Sequence, residues 1–440
     1  MNRFLPVGRS LLGASVLLGS VAAQAEEAVV PTINSGDTAF VVVCALVVLL
    51  MTLPGLALFY GGMARSKNVL SVLTQVFVTT ALMSVLFAVY GYSLTFADGG
   101  SLQAIIGGTE KLFLGGVSPD SVVGTIPEYL YFLFMLLFAA ITPAIIVGAF
   151  AERMKFAAVL VFMAVWLTIN YIPMAHMAWG GGWVFDLGVQ DFAGGNVVHL
   201  NVGIAALVGA WLIGKRRGYG TSALAPHNMT MTFTGGSLLW VGWLGFCGGC
   251  ALAASGFAML VIVNTMLASC AGALAWLLVE WLHRGKPSLF GAISGAISGL
   301  VIITPACGFV GPMGAILLGF IAAPVCVWAV EKLKPMLGLD DAFDVFGVHG
   351  VAGILGGLLT PVFALTSLGG QGFVEGRGLG EQLLVNGGAL LFSIVFSAVS
   401  SWIAYKIASL LCGGLRVEEE VEVDGLDLSA HGEVGYKYSN

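Results

Sequence analysis

Charge is what this chain has least of. Only 10% of its 440 residues are Asp, Glu, Lys or Arg, against 58% hydrophobic residues and 62 glycines. A soluble body of that length would lack the polar surface to cover itself, so the composition points to a polytopic membrane protein. The formal net charge of -6 says little about partners, because in a membrane chain the sign of each loop outweighs the total. Cysteines are few and unsuited to a disulfide framework: Cys44, Cys247, Cys250, Cys270, Cys307, Cys326 and Cys412 lie nearly all inside apolar runs, as small core residues do. The one C-x-x-C, Cys247-Gly248-Gly249-Cys250, has no second pair, and neither redox chemistry nor a metal is expected of it. No lysine of the phosphate-binding kind follows the glycines of 291–299. That stretch reads as a small-residue face for close helix packing. No cofactor and no nucleic-acid partner are expected.

What is there is apolar length. Windows long enough to cross a hydrocarbon core of roughly 30 Å fall at about 38–61, 70–95, 129–150, 156–179, 196–214, 230–252, 256–282, 289–306, 311–330, 346–366 and 383–412. They predict an all-α protein of eleven transmembrane helices. Upstream, Arg3 and Arg9, the apolar Leu11 to Val21, and Ala23-Gln24-Ala25 read as a signal peptide cleaved after residue 25, which puts the mature N-terminus outside. The loops then expected in the cytoplasm hold eleven basic residues, from Arg65 and Lys67 to Lys332 and Lys334, whereas the external loops hold only Lys111 and Arg377. The positive-inside rule therefore supports eleven spans over 26–414 and a cytoplasmic C-terminus. After Leu415 the chain turns acidic, with Glu418, Glu419, Glu420, Glu422, Asp424 and Asp427. Residues 415–440 read as a tail that cannot bury itself, either solvated or a docking element.

Two histidines interrupt the apolar runs, where an ionisable side chain costs roughly 2.5–3.5 kcal/mol. His199 follows Asp191-Phe192-Ala193-Gly194-Gly195-Asn196-Val197-Val198, and His349 follows Asp344-Val345-Phe346-Gly347-Val348. The order acid, apolar residues, Val-His is shared, and so is Gly-Ile at the fourth and fifth positions after each histidine. Spans one to five and six to ten thus each end in a histidine-bearing helix. An odd number of spans per half makes the halves an inverted five-plus-five repeat, with a site expected at their interface. Paired neutral imidazoles line a path with polar atoms without placing charge in the membrane. Asp344 reads as a structural helix N-cap. Asp191 reads as a cap or as an acid that favours a cation at the external mouth. Phe134 and Phe138 share a helix face, and Trp179 and Phe246 lie near external span ends. These rings are either core and interfacial belt residues or a cation–π cage. A metalloenzyme using His199, His349 and Asp344 lacks a third close ligand and a general base.

Phe59-Tyr60-Gly61-Gly62, the segments at 191–195 and 344–350, Gly425-Leu426-Asp427 and His431-Gly432-Glu433 together resemble the ammonium transporter (Amt/MEP/Rh) family, in its bacterial Amt branch. The resemblance covers nearly the whole mature chain. It implies ammonium uptake by homotrimers of the inner (plasma) membrane with one pore per subunit, and no enzyme activity. Residue by residue, it assigns Trp179 and Phe134 to an external ammonium cage, with Asp191 near it, Phe138 and Phe246 to a stacked gate, and His199 and His349 to a twin-histidine pore. Cys250 falls where the bacterial type usually has a cage serine, and Cys247 where it has asparagine; a thiol is the weaker hydrogen-bonding group. The resemblance also implies that the tail docks a trimeric PII-type signalling protein, with Lys215, Arg216 and Arg217 on the same face. The alternatives are an ammonium sensor and an Rh-like ammonia or carbon dioxide facilitator.

Overall fold

Backbone inside an apolar run has no partner but itself, and it closes into helix. The computed structural model describes residues 32–436, so the signal peptide expected at 1–25 lies outside the described residues. The helices are α1 Ser35–Met63, α2 Val69–Phe96, α3 Glu128–Phe150, α4 Phe156–Asp186, α5 Gly195–Ile213, α6 Met229–Gly249, α7 Gly256–Arg284, α8 Leu289–Ile303, α9 Pro312–Met336, α10 Phe346–Phe363 and α11 Leu379–Leu411. Every expected window is a helix. Among the described residues nine of them are long and apolar enough to cross a membrane by themselves. The other two are α6, diluted by Thr230, Thr232, Thr234, Ser237 and glycines, and α8, only 15 residues long.

The helix starts are written locally. Asn228 accepts from the Met231 N–H at 2.9 Å to open α6, Ser255 from Ala258 to open α7 and Ser288 from Gly291 to open α8, each satisfying a donor that a helix leaves free. The glycines of α8 act as expected. A β-carbon at Gly299 would lie 2.2 Å from the Ala268 carbonyl of α7, so the two backbones touch without side chains between them.

Among the described residues six helices contain a π-helical turn, including Gly195–Leu200 at the start of α5 and Phe346–Gly350 at the start of α10. Each of these two carries one of the histidines. Such turns concentrate at functional positions because they break the regular ladder and re-aim a side chain.

The two ends of the bundle differ in charge. At one end the loops after α1, α3, α5 and α9 meet: Arg65 pairs with Glu152 at 2.7 Å, and Arg216 with Asp340 at 2.9 Å and Glu152 at 3.4 Å. Burial works against the Asp340 carboxylate, yet the Arg216 guanidinium holds it below its ordinary range. The acidic tail packs onto this end, which corrects the expectation that it stays unburied. Glu422, buried, accepts from Arg416 at 2.7 Å and from the Arg217 N–H at 2.7 Å. Asp427, also buried, accepts from the Leu70 and Ser71 N–H groups at 3.0 and 2.7 Å. The tail's carboxylates are thus neutralised by arginine and by the positive N-terminus of α2.

At the opposite end Glu128 is buried with Lys111 and the Tyr92 hydroxyl. His176 is buried there with its ring nitrogens at hydrogen-bonding distance from the Thr95 and Gln103 carbonyls, 2.8 and 2.7 Å. That histidine fastens a loop.

Candidate functional site

The site is assembled by α3, α4, α5, α6 and α10, in a line from the end opposite the tail toward the tail. Phe134 and Phe138, one turn apart on α3, have ring centroids 5.1 Å apart. Trp179 of α4 stands edge-on to Phe138 at 5.8 Å and 89°, backed by Gly194, where a β-carbon would lie 3.3 Å from the indole. Phe134 is fully buried and presses on Gly249 beside Cys250. Phe138 thus touches both Phe134 and Trp179. Deeper, Phe138 of α3 and Phe246 of α6 lie face to face, centroids 3.9 Å apart and 15° from parallel. A stacked pair of this kind is worth about 0.5–1.5 kcal/mol, so parting the rings lies within thermal reach.

Below the rings stand the histidines. Nδ1 of His349 lies 3.2 Å from Nδ1 of His199, and the rings are 27° from parallel. In two neutral imidazoles so placed, one Nδ1 carries the shared hydrogen and the other accepts it. The first ring then has a bare Nε2 acceptor and the second an Nε2–H donor. The pair thus offers a guest one acceptor and one donor. Nε2 of His199 is buried and has no hydrogen-bond partner among the described residues, a free position that an uncharged hydrogen-bonding guest fills at low cost. Past the histidines a cavity of about 40 Å³ opens toward the tail, lined by Phe59, Tyr60, Ile297, Asp344, Val348 and His349.

Sequence reasoning missed Trp243. Its indole stacks on His199 at 5.0 Å and 20° and donates from Nε1 to Thr304 Oγ1 at 2.9 Å, fixing the plane of the imidazole. The available signal was its position three residues before Phe246, on one face of α6. The histidines also meet because α5 and α10 cross without side chains: a β-carbon on Gly203 would sit 2.2 Å from the Gly350 Cα.

The acids divide differently than expected. Both oxygens of Asp191 are turned to the start of α5, Oδ1 toward the Gly194 and Gly195 N–H groups and Oδ2 toward Asn196 and Val197, at 2.9 Å for Asn196. Burial pushes this carboxyl up from its ordinary value, and the four donors pull against that. Asp191 is therefore the cap of the His199 helix, and its oxygens do not face the cage. The cap expected from Asp344 falls instead to Asp341, whose Oδ2 accepts from the Phe346 N–H at 2.6 Å. Asp344 has a left-handed backbone, φ 61°, and its carboxylate pairs with Lys334.

Asp341 makes a pH prediction. Burial, and then the Asp344 charge, raise its carboxyl to about 6, against the pull of Lys334 and the Phe346 N–H. The folded protein then holds more protons than the unfolded chain between about pH 4 and 6, so stability falls as pH rises through that window, and the cost is complete above it. Asn at this position keeps an acceptor for Phe346 and removes the charge. In detergent, Asp341→Asn is expected to lose less melting temperature than the wild type between pH 4 and pH 7; an equal loss contradicts the assignment.

Residues 39–436 match the description of the Ammonium Transporter Family. The chain belongs to that family. This ammonium transporter is 48% identical over 408 residues to the ammonium transporter of Bacillus subtilis, covering 92% of this chain and 99% of the relative. It is 41% identical over 427 residues to that of Aquifex aeolicus, covering 97% and 98%. Among solved structures it superposes on Candida albicans Mep2 with a TM-score of 0.80, at 32% identity, over 88% of this chain and 87% of Mep2. It also superposes on a protein described as a sensor Amt protein, with a TM-score of 0.83 at 28% identity, over 90% and 98%. The transporter is thus an integral membrane protein for ammonium, in a family of transporters and not of enzymes.

Proposed function

We propose that this transporter takes ammonium from outside the cell, deprotonates it at the ring-lined end, and conducts ammonia past Phe138 and Phe246 and along His199 and His349 to the cavity near the tail, while the released proton follows separately along the histidine pair, so that one charge crosses with each ammonia. The carrying observation is the unbroken line from π faces, through stacked rings, to a shared-proton histidine pair with an unpartnered Nε2. Aromatic faces attract a cation. The rings beyond them offer it no replacement for its hydration, and a dehydrated ion there is prohibitive. A neutral molecule with three N–H donors and one lone pair meets no such barrier, and it matches the donor and acceptor of the histidine pair. Potassium has no proton to give up and is rejected by the same step.

In this reading the chain has eleven spans as an inverted five-plus-five repeat, with the mature N-terminus outside the inner membrane and the tail in the cytoplasm. Trp179, Phe134, Cys250 and the Asp191-capped turn make the recruitment site, and the subunits assemble as trimers that a PII-type protein blocks at the tail end. A sensor reading has one observation in its favour. The tail caps α2 through Asp427 and so is placed to transmit a change in the bundle. Both readings are tested by reconstitution into liposomes on a solid-supported membrane, with ammonium and potassium pulses and a parallel stopped-flow assay of ammonia flux. Current with ammonium alone supports the proposal. Flux without current supports a neutral-gas facilitator, and absence of both supports the sensor.

A further inference from the structure

A second cavity, of about 280 Å³, lies at the tail end of the bundle and away from the conduction line, where α5 and α11 end side by side. Leu212 and Ile213 of α5, Lys406 and Ser409 of α11, and Leu415 and Arg416 at the root of the tail line it. Two of these side chains are cationic, and among the described residues no carboxylate lines the cavity. The carbonyls that the two helix ends leave free are already served. Arg153 donates to the Gly214 carbonyl at 2.9 Å, Arg416 Nη1 to that of Ile213 at 3.3 Å, and Lys155 to that of Gly413 at 2.8 Å. The remaining Arg416 donors, Nε and Nη2, face Glu422 at 3.0 and 2.7 Å. Lys406 is left over. Among the described residues its ammonium has neither a carboxylate nor a hydrogen-bond partner, only the Trp402 ring 5.6 Å away.

Val395, Val399, Trp402, Lys406 and Leu410 recur every three or four residues along one exposed stripe of α11, the kind of face a membrane helix turns to lipid. A lone ammonium on such a stripe is costly in hydrocarbon and settles at the level of the lipid phosphates. Two exposed tryptophans mark that level, Trp402 on α11 and Trp211 on α5, because indole rings collect at the headgroup boundary. Basic pockets between membrane helices at this depth suit anionic headgroups. A phosphodiester supplies the missing charge for Lys406 and an acceptor for the Ser409 hydroxyl, which has no partner among the described residues. Its acyl chains cover the apolar stripe, which a soluble phosphate leaves bare.

We propose that the cavity between α5 and α11 seats the phosphate of an anionic phospholipid, held by Lys406 and Ser409 with Arg416 behind them, and that this lipid ties the root of the tail to both helices. Binding there needs a membrane and not the ammonium route, so each can fail without the other. In the test, the delipidated full chain in detergent is titrated with dioleoyl phosphatidylglycerol, dioleoyl phosphatidylcholine or inorganic phosphate. Bound lipid is read by native mass spectrometry, beside thermal unfolding. Lys406→Gln is expected to bind one phosphatidylglycerol per subunit about fivefold more weakly than the wild type, the effect of one basic residue on an anionic headgroup, and Lys406→Glu more weakly still. Phosphatidylglycerol is expected to raise the melting temperature of the wild type more than that of either variant. Without lipid all three melt alike, because position 406 is exposed. Lys286→Gln, at an exposed lysine in the turn after α7, is the control and binds as the wild type does. Equal affinity and an equal melting shift in the wild type, Lys406→Gln and Lys406→Glu overturn the site. An equal loss in Lys286→Gln overturns it too, since general surface charge then suffices. Phosphatidylcholine bound as tightly as phosphatidylglycerol overturns the anionic headgroup, and inorganic phosphate that displaces the Lys406-dependent lipid overturns the lipid as occupant and gives the cavity to a soluble phosphate.

Discussion

Gly203→Ala is expected to abolish ammonium current while leaving the protein folded. A β-carbon there would lie 2.2 Å from the Gly350 Cα and 2.4 Å from the Gly350 N. Carbon atoms pack at about 3.5–4.0 Å, and both opposing atoms are backbone, so no rotamer change relieves the clash. The helices must part by more than about 1 Å. The Nδ1 atoms of His199 and His349, now 3.2 Å apart, then pass beyond hydrogen-bonding distance. Overpacking of this kind costs about 1–3 kcal/mol, which a membrane bundle survives, whereas a histidine pair that must share one proton does not tolerate the separation. Gly387→Ala on α11, where an added β-carbon meets nothing within 4 Å, is the control and keeps its current. A Gly203→Ala protein with wild-type current would show that the close contact of α5 and α10 is not what aligns the pair.

Asp191→Ala is expected to be the most damaging single change to stability in the site. It removes the acceptor from four N–H groups at once. Leaving a buried donor unpaired costs about 1–3 kcal/mol, so even the low end of that range amounts to about 4 kcal/mol for the four. Asn restores one acceptor oxygen, and Asp191→Asn should fall between the wild type and alanine in melting temperature. Thermal unfolding in detergent beside ammonium current checks both. Alanine with wild-type stability and lowered ammonium affinity would return Asp191 to a direct role at the cage.

Residues were legible in the sequence where the physics is local, and hidden where contact partners are distant in the chain. The histidines stood out because an ionisable group in an apolar run is costly and because the pattern around it recurs. Phe134 and Phe138 were legible from helical spacing alone. The Phe138/Phe246 stack joins helices 108 positions apart and carries no local signal, so only the family resemblance placed it. The π-helical turns under both histidines leave no mark in an apolar period. Asp341 and Asp344 are three residues apart and chemically identical, and the left-handed backbone at Asp344 decides which of them caps α10. The tail's acidity showed its charge but not that Arg217, Arg416 and the α2 N-terminus wait to bury it. Trp243 was one aromatic among many until its stacking on His199 was seen.

In the proposed mechanism ammonium sheds its proton before the constriction, and the histidine pair conducts the ammonia and, separately, the proton onward. The direct test is to record currents on ammonium and on potassium pulses from liposomes bearing the wild type and a His199→Ala/His349→Ala variant. The mechanism predicts current with ammonium only in the wild type, and in the variant either no current or one that no longer distinguishes ammonium from potassium. A variant with the wild type's ammonium-only current would contradict it.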